Sequence, residues 1–157
     1  MAETLGSLID KLSIKSIREF HLRKMRASKE VSRKLKILAR QKDALLGEVE
    51  EFIARAIQGK ARLKDEKLKL YNKPQMLGKI GKMTRLSKAI DALTRKNMQL
   101  WDLEDEARRE DVSLACVGRT KRKIDLANQQ RNDLIDKIDD LLEDKVSKSK
   151  RSKRRAK

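Results

Sequence analysis

Two cations stand where a helical pattern requires apolar side chains. Residues 121–142 have the spacing of an amphipathic helix, yet Arg131 lies within the apolar stripe of that helix. Lys42 interrupts an earlier stripe in the same way, between Leu38 and Leu45. A buried cation that has neither an anion nor water beside it is strongly unfavourable. Each cation is therefore expected to belong to a structural polar layer or to a pocket that binds an anion.

An internal repeat relates the two cations to each other. Residues 33–46 align with residues 122–135, and this alignment makes Lys42 the counterpart of Arg131. If both halves of the chain are antiparallel hairpins, each cation lies level with a small polar residue on the preceding helix. The predicted polar layer, which is also a candidate anion site, consists of Ser16, Lys42, Asn97, Arg131, Gln41 and Gln130.

The repeat also includes the start of each half. Residues 8–13 align with residues 89–94, so Asp10 is the counterpart of Asp91. Both carboxylates are expected close to the polar layer. They are the candidates for its countercharge, because a buried cation is stabilised by a hydrogen-bonded anion.

Basic residues are concentrated around the first hairpin turn, in the connector and in the tail of the chain, whose formal net charge is +17. Such clusters bind nucleic-acid phosphates by releasing counterions. Aromatic residues make up only 3% of the chain, so surfaces for stacking bases are scarce and sequence-specific recognition is not expected. The predicted nucleic-acid-binding residues are Arg23, Lys24, Arg26, Lys29, Arg33, Lys34, Lys148, Lys150, Arg151, Lys153, Arg154 and Arg155.

The charge pattern predicts a non-enzymatic protein that binds nucleic acid without sequence specificity, as RNA, a ribonucleoprotein or the DNA backbone. One alternative is a helical module for protein–protein interaction or oligomerisation, because the apolar stripe around Lys42 repeats every seven residues. A second alternative is a small nucleotide- or metal-dependent enzyme. Each of these three functions would use different residues of the same helices.

Carboxylates are dense between residues 102 and 111, and a metal-dependent enzyme would have to use them. A magnesium site needs carboxylates from two helices that converge on one ion, and Asp125 is the candidate at the same level. The sequence does not contain the pair of E-x-x-E and E-x-x-D motifs that a helical magnesium site would use. We therefore interpret the cluster as a solvated helix face. His21 and Cys116 are a weak candidate for a base and a nucleophile. We predict no catalytic residue, no metal site and no cofactor.

Long helices must position all of these residues. A composition of 38% apolar and 41% charged residues suits amphipathic helices that each bury one stripe. We predict an all-α fold, an antiparallel four-helix bundle built from two tandem helical hairpins. The predicted divisions are a first hairpin over 1–58, a basic connector over 59–83, a second hairpin over 84–146 and a disordered basic tail over 147–157.

Three further predictions concern single residues of the expected bundle. Ser28 is expected to cap the second helix, Pro74 to prevent a helix across the connector, and Trp101 to anchor the core. The first residues lack the pattern of a secretory signal. No apolar run approaches the roughly 20 residues needed to cross a bilayer. We therefore expect a cytoplasmic protein with no membrane partner and no identified small-molecule substrate.

Two motifs in the second half are similar to those of a known family. Residues 101–108 read W-D-L-E-D-E-A-R, and residues 121–133 read K-R-K-I-D-L-A-N-Q-Q-R-N-D. This pattern resembles a family of small bacterial helical proteins that is classed as a domain of unknown function. The resemblance extends over most of residues 5–25 and 84–142 and implies a helical fold. Asp102 stands where the family pattern has histidine, and His21 is the repeat counterpart of that position.

Overall fold

The described residues of the chain are mostly helical. A computed structural model describes residues 3–65 and 78–155, and these residues contain helices and no strand, so the predicted all-α class is confirmed. The prediction for Pro74 lies outside the described residues. The helices are α1 (Leu5–Lys24), α2 (Lys29–Ile57), α3 (Gly78–Gly81), α4 (Leu86–Ala107) and α5 (Leu114–Arg155).

Capping side chains determine where the first two helices begin. Thr4 caps α1 in a reciprocal arrangement, since the Ser7 backbone N–H donates to Thr4 Oγ1 and Ser7 Oγ accepts from the Thr4 backbone N–H. The predicted cap at Ser28 is confirmed, because its Oγ accepts a 3.1 Å hydrogen bond from the backbone N–H of Val31. The short segment between Met25 and Ser28 therefore turns the chain sharply and produces the first hairpin.

Helix α1 is the central element of the packing, because it contacts α2, α4 and α5. Gly6 lies beside Asp139, and Asp10 lies beside Arg131, so α1 and α5 are antiparallel. Helices α4 and α5 form the second hairpin, and α1 consequently runs in the same direction as α4. The shared core has Leu8, Leu93 and Ile138 at its centre, each no more than 1% exposed.

The approach of α1 to α5 depends on a glycine. A Cβ atom at Gly6 would overlap the backbone carbonyl oxygen of Ile135. The backbone N–H of Gly6 donates a 2.7 Å hydrogen bond to Oδ1 of Asp139, whose residue is only 3% exposed. That carboxylate satisfies a free N–H in the first turn of α1 and complements the positive end of its dipole. The backbones of α1 and α5 therefore lie in close contact at Gly6.

The structure of the C-terminal segment differs from the predicted disordered tail. A disordered tail is predicted over 147–157, whereas α5 continues as a helix to Arg155. No glycine or proline occurs after Leu114 apart from Gly118, and lysine and arginine have high helix propensity, so an established helix can extend through them. No helix among the described residues is long and apolar enough to span a membrane.

Candidate functional site

A buried polar cluster joins α1, α4 and α5. Nδ2 of Asn97 donates to Oδ1 of Asp10 at 2.8 Å and to Oγ of Ser13 at 2.6 Å. Nε of Arg131 lies 3.7 Å from the same Asp10 oxygen, which is an ion-pair distance and too long for a hydrogen bond. Asp10, Ser13 and Asn97 are all buried. The carboxylate of Asp10 therefore supports an amide and a guanidinium from two other helices.

The predicted polar layer is only partly brought together. Asn97 and Arg131 meet beside Asp10, whereas Ser16 is exposed and its predicted place is taken by Ser13. Ser13 lies three residues after Asp10 and so shares its face of α1, while Ser16 is rotated toward solvent. The inclusion of Ser16 in the layer is therefore wrong. The spacing in sequence placed the layer about one helical turn away along α1 and therefore selected the wrong serine.

The other members of the predicted layer have separate partners. Nζ of Lys42 donates to Oε2 of Glu19 at 2.6 Å on the side of α1 that faces α2. Helix α2 packs chiefly against α1, so Lys42 does not join the Arg131 cluster. Asp91 pairs with Arg95 on the surface and supplies no buried countercharge. The remaining members also bond to lysines, Gln41 to Lys15 at 2.6 Å and Gln130 to Lys96 at 2.7 Å.

The Lys42–Glu19 contact makes the first hairpin sensitive to acid. Hydrogen bonds from Lys42 and then from Arg23 lower the pKa of Glu19 below its usual value of 4.5. A carboxyl whose pKa is lower in the folded than in the unfolded chain stabilises the fold above the unfolded pKa, and the contribution disappears as the pH falls through the folded pKa. We expect the free energy of unfolding to decrease below pH 4.5, and to decrease less in Lys42→Met.

The measurement is denaturant unfolding across the acidic range. Lys36→Met is the matched control, because Lys36 is an exposed lysine on the same helix. It should retain the acid dependence of the unmodified protein. Equal acid dependence in Lys42→Met and Lys36→Met would show that the Glu19 contact does not contribute.

A cavity of about 350 Å³ opens beside the buried polar cluster, between α1, α4 and α5. Its apolar wall is formed by Ile14, Leu100 and the ring of Trp101. Its polar lining contains one carboxylate and three guanidinium groups. The polar lining residues are Arg18, Asn97, Glu104, Arg108 and Arg131. A volume of this order matches the lower end of small-molecule sites in proteins.

Trp101 is half-buried and forms part of the cavity wall, so its prediction as a core anchor is wrong. The imidazole of His21 stacks on its indole, with ring centroids 4.6 Å apart and an angle of 14° between the planes. The indole Nε1 is buried and has no hydrogen-bond acceptor among the described residues. Phe20, the repeat counterpart, is 53% exposed. Trp101 and Phe20 therefore have different environments in the two halves of the chain, although the repeat makes them counterparts.

The three arginines of the cavity differ in their partners. Arg108 is paired, since its Nη1 lies 3.0 Å from Asp105 and its Nη2 lies 3.8 Å from Glu104. Arg131 has the long contact to Asp10, and its Nε is buried without an acceptor within the described part of the chain. Arg18 is exposed at the rim of the cavity. The cavity therefore has more cationic than anionic groups.

Several of the carboxylates between 102 and 111 are engaged with neighbouring side chains. Glu106 accepts a 3.1 Å hydrogen bond from Thr120, and Asp111 pairs with Arg109 at 2.5 Å. Over residues 3–65 and 78–155, no group of three or more histidine, cysteine or acidic side chains is arranged to hold a metal ion. His21 contacts Trp101, and Cys116 lies in the first turn of α5.

The basic residues fall at opposite ends of the molecule. Lys150 lies close to Gly59, just after α2, so the end of α5 is beside the end of α2. The basic cluster at the start of α2 is separated from it by the 29 residues of that helix, or about 44 Å. Within that cluster, Arg23 and Lys34 are already paired with the nearby Glu19 and Glu30.

A second groove, of about 410 Å³, lies between residues 81–84 and α5. Nζ of Lys137 donates a 3.0 Å hydrogen bond to the carbonyl of Gly81 and closes one side of the groove. The groove is lined by four lysines and one carboxylate: Lys82, Lys137, Lys145, Lys148 and Asp144. Lys150 and Arg151 continue the basic surface along α5 and are exposed. We call the five charged lining residues, together with the adjoining Lys150 and Arg151, the lysine groove.

Residues 87–157 match the model of a family described as a protein of unknown function (DUF4254). The resemblance to a domain of unknown function is thereby confirmed for this part of the chain. The match begins at residue 87 and does not extend to the similar stretch at 5–25. No curated protein and no solved structure matches the chain.

The matched segment contains the α4 and α5 residues of the cavity. Sequence reasoning assigned Asn97 and Arg131 to a candidate anion site but did not connect them with Trp101, Glu104 and Arg108. A signal was present, because residues 97, 101, 104 and 108 have the three- and four-residue spacing of one helix face. Arg18 had no comparable signal, since the register of α1 against α4 is decided by packing.

Proposed function

We propose that this protein binds nucleic acid through phosphate contacts, without catalysing a reaction and without reading the base sequence. The observation that carries the proposal is the lysine groove, in which four lysines and one aspartate line a single open surface. Close like charges repel one another, so binding of a polyanion relieves repulsion and releases counterions at the same time. A groove 410 Å³ in volume has room for a backbone phosphate and its sugar.

The extended end of α5 supports the same proposal. After Asp144 the chain has no further carboxylate side chain, and Lys148, Lys150 and Arg151 are exposed on the helix. A helical segment holds its cations at defined spacing and loses less conformational freedom on binding than a disordered tail would lose. The cluster at the first turn is a weaker candidate, because part of its charge is neutralised by Glu19 and Glu30.

We further propose that α1, α2, α4 and α5 form one antiparallel four-helix bundle that serves as the rigid base of this surface. One core cluster supports the arrangement, since it includes Leu8 of α1, Phe52 of α2, Leu93 of α4 and Ile138 of α5. A shared core of this kind would hold the lysine groove in a constant geometry.

The proposal predicts a strong dependence of binding on salt. Fluorescence anisotropy with labelled RNA and DNA duplexes of equal length should give similar affinities, which fall steeply between about 50 and 200 mM salt. In the triple variant K148Q/K150Q/R151Q, the slope of log Kd against log salt should decrease in magnitude by about 2 to 3. The reason is that each lost phosphate contact removes about 0.9 from that slope.

The control is R26Q/K29Q/R33Q, which removes the same charge at the opposite end of the molecule. We expect it to change the slope by less than half as much. An equal effect of the two triple variants would contradict the assignment to the lysine groove. Absence of binding at low salt to both nucleic acids would contradict the proposed function itself.

A further inference from the structure

We propose that the cavity between α1, α4 and α5 binds a small organic anion, namely an oxyanion carried on a short apolar or aromatic body. The site is separate from the lysine groove and is independent of nucleic-acid binding. Its volume of about 350 Å³ accommodates an aromatic ring with one phosphate or carboxylate group. The class of ligand follows from the charge, the donors and the apolar wall of the cavity.

The charge of the lining favours an anion. Arg18, Arg108 and Arg131 all border the cavity, whereas Glu104 is the one carboxylate among the described residues that does so. Arg131 is held in place by the buried Asp10, which itself is only 7% exposed. The long 3.7 Å contact leaves the guanidinium without a hydrogen bond to that carboxylate. An oxyanion in the cavity would provide the acceptors that guanidinium groups bind most strongly.

The support of Arg131 distinguishes this cavity from a surface cluster of cations. Asn97 donates one hydrogen bond to the Asp10 carboxylate and another to the hydroxyl of Ser13, which in turn donates to the backbone carbonyl of Asp10. The carboxylate held in this way lies at ion-pair distance from Arg131. A cation on such a support loses little side-chain freedom when it binds a ligand. An exposed lysine or arginine without this support would have to be ordered by the ligand. The buried polar cluster therefore serves to orient Arg131.

The apolar part of the ligand is inferred from the opposite wall. Ile14, Leu100 and the indole of Trp101 line the cavity, and His21 stacks on that indole and limits its movement. A flat, rigid aromatic wall favours a ring or a short hydrocarbon over a fully hydrated ion. Inorganic phosphate would leave this wall in contact with water. We therefore expect an organic anion to bind more tightly than the inorganic ion.

The fluorescence of Trp101 tests the inference directly, because it is the chain's one tryptophan. The full chain would be titrated with phenyl phosphate, benzoate, inorganic phosphate and the neutral analogue phenol, at constant ionic strength. We expect saturable changes with phenyl phosphate or benzoate, and a weaker response to inorganic phosphate. Comparison of the first two probes distinguishes a phosphate ligand from a carboxylate ligand.

Two substitutions and one control complete the experiment. Arg131→Met and Arg18→Gln should each weaken binding about tenfold or more, the scale of a charged hydrogen bond. Arg18 is exposed, so its variant should fold normally. Arg95→Gln removes the same charge from the outer surface of α4 and should bind as the unmodified protein does.

Three results would overturn the inference. They are an unsaturable response to every probe, equal affinity for phenol and phenyl phosphate, and equal weakening by Arg95→Gln and Arg18→Gln. K148Q/K150Q/R151Q should keep full binding of the organic anion, so failure of the cavity site can be distinguished from failure of the lysine groove.

Discussion

Replacing Gly6 with alanine is expected to lower the free energy of unfolding by about 3 kcal/mol. The added Cβ would overlap the carbonyl oxygen of Ile135, which belongs to the backbone of α5 and cannot rotate away. The helices must then separate, and the 2.7 Å hydrogen bond from Gly6 to Asp139 lengthens. Leu8 follows Gly6 by two residues in the same turn of α1. The core around Leu8 therefore loses contacts when the helices separate.

The control for this prediction is Gly47→Ala. Gly47 lies in the middle of α2, and a Cβ added there meets no atom within 4 Å. Alanine has the higher helix propensity, so this variant should be more stable by about 0.5 to 1 kcal/mol. Urea unfolding followed by far-UV circular dichroism measures both changes. If Gly6→Ala were as stable as the unmodified protein, the close packing of α1 on α5 would be incorrect.

Replacing Asp10 with leucine is expected to lower the free energy of unfolding by about 2 kcal/mol. The substitution removes one of the two acceptors of Asn97 and leaves Arg131 without its nearest anion. Loss of one partner from a fully buried pair costs about 3 to 5 kcal/mol. The expected value is smaller because 31% of the Arg131 side chain is exposed and can be hydrated. The measurement is again the midpoint and slope of urea unfolding.

A second substitution tests whether the cost comes from the unpaired cation. The double variant Asp10→Leu, Arg131→Met should recover at least about 1 kcal/mol, because the two substitutions remove both charges. Asp91→Leu is the control, since Asp91 is the repeat counterpart of Asp10 but its side chain is 52% exposed. It should change stability by less than about 0.5 kcal/mol. Strictly additive effects of the two substitutions would show that Asp10 and Arg131 do not interact.

The repeat in the sequence predicted corresponding helices but not corresponding interactions. Lys42 and Arg131 occupy equivalent positions, yet Lys42 pairs with Glu19 in a contact between α1 and α2, whereas Arg131 lies near Asp10 beside a cavity. The difference arises because α5 packs against both α4 and α1, whereas α2 packs chiefly against α1. The second of two equivalent helices therefore meets neighbours that the first does not have.

The serine of the polar cluster shows a related limit of sequence reasoning. The apolar period places Asp10 and Ser13 on one face of α1, but the selection of Ser16 depended on where the hairpin turn was centred. A shift of one helical turn between neighbouring helices exchanges one serine for the other. Turn geometry and the close contact at Gly6 decide that shift, and neither is contained in the hydrophobic pattern.

The sequence by itself determined the all-α class, the cap at Ser28, the resemblance over the second half and the concentration of positive charge, because these depend on local spacing and composition. The tertiary structure decided which of the marked residues meet. It brought Arg131, Asn97 and Trp101 to one cavity and separated Lys42 from them. The physical reason is that helical periodicity defines the faces of each helix, whereas the rotation and axial shift of one helix against another follow from packing across the core.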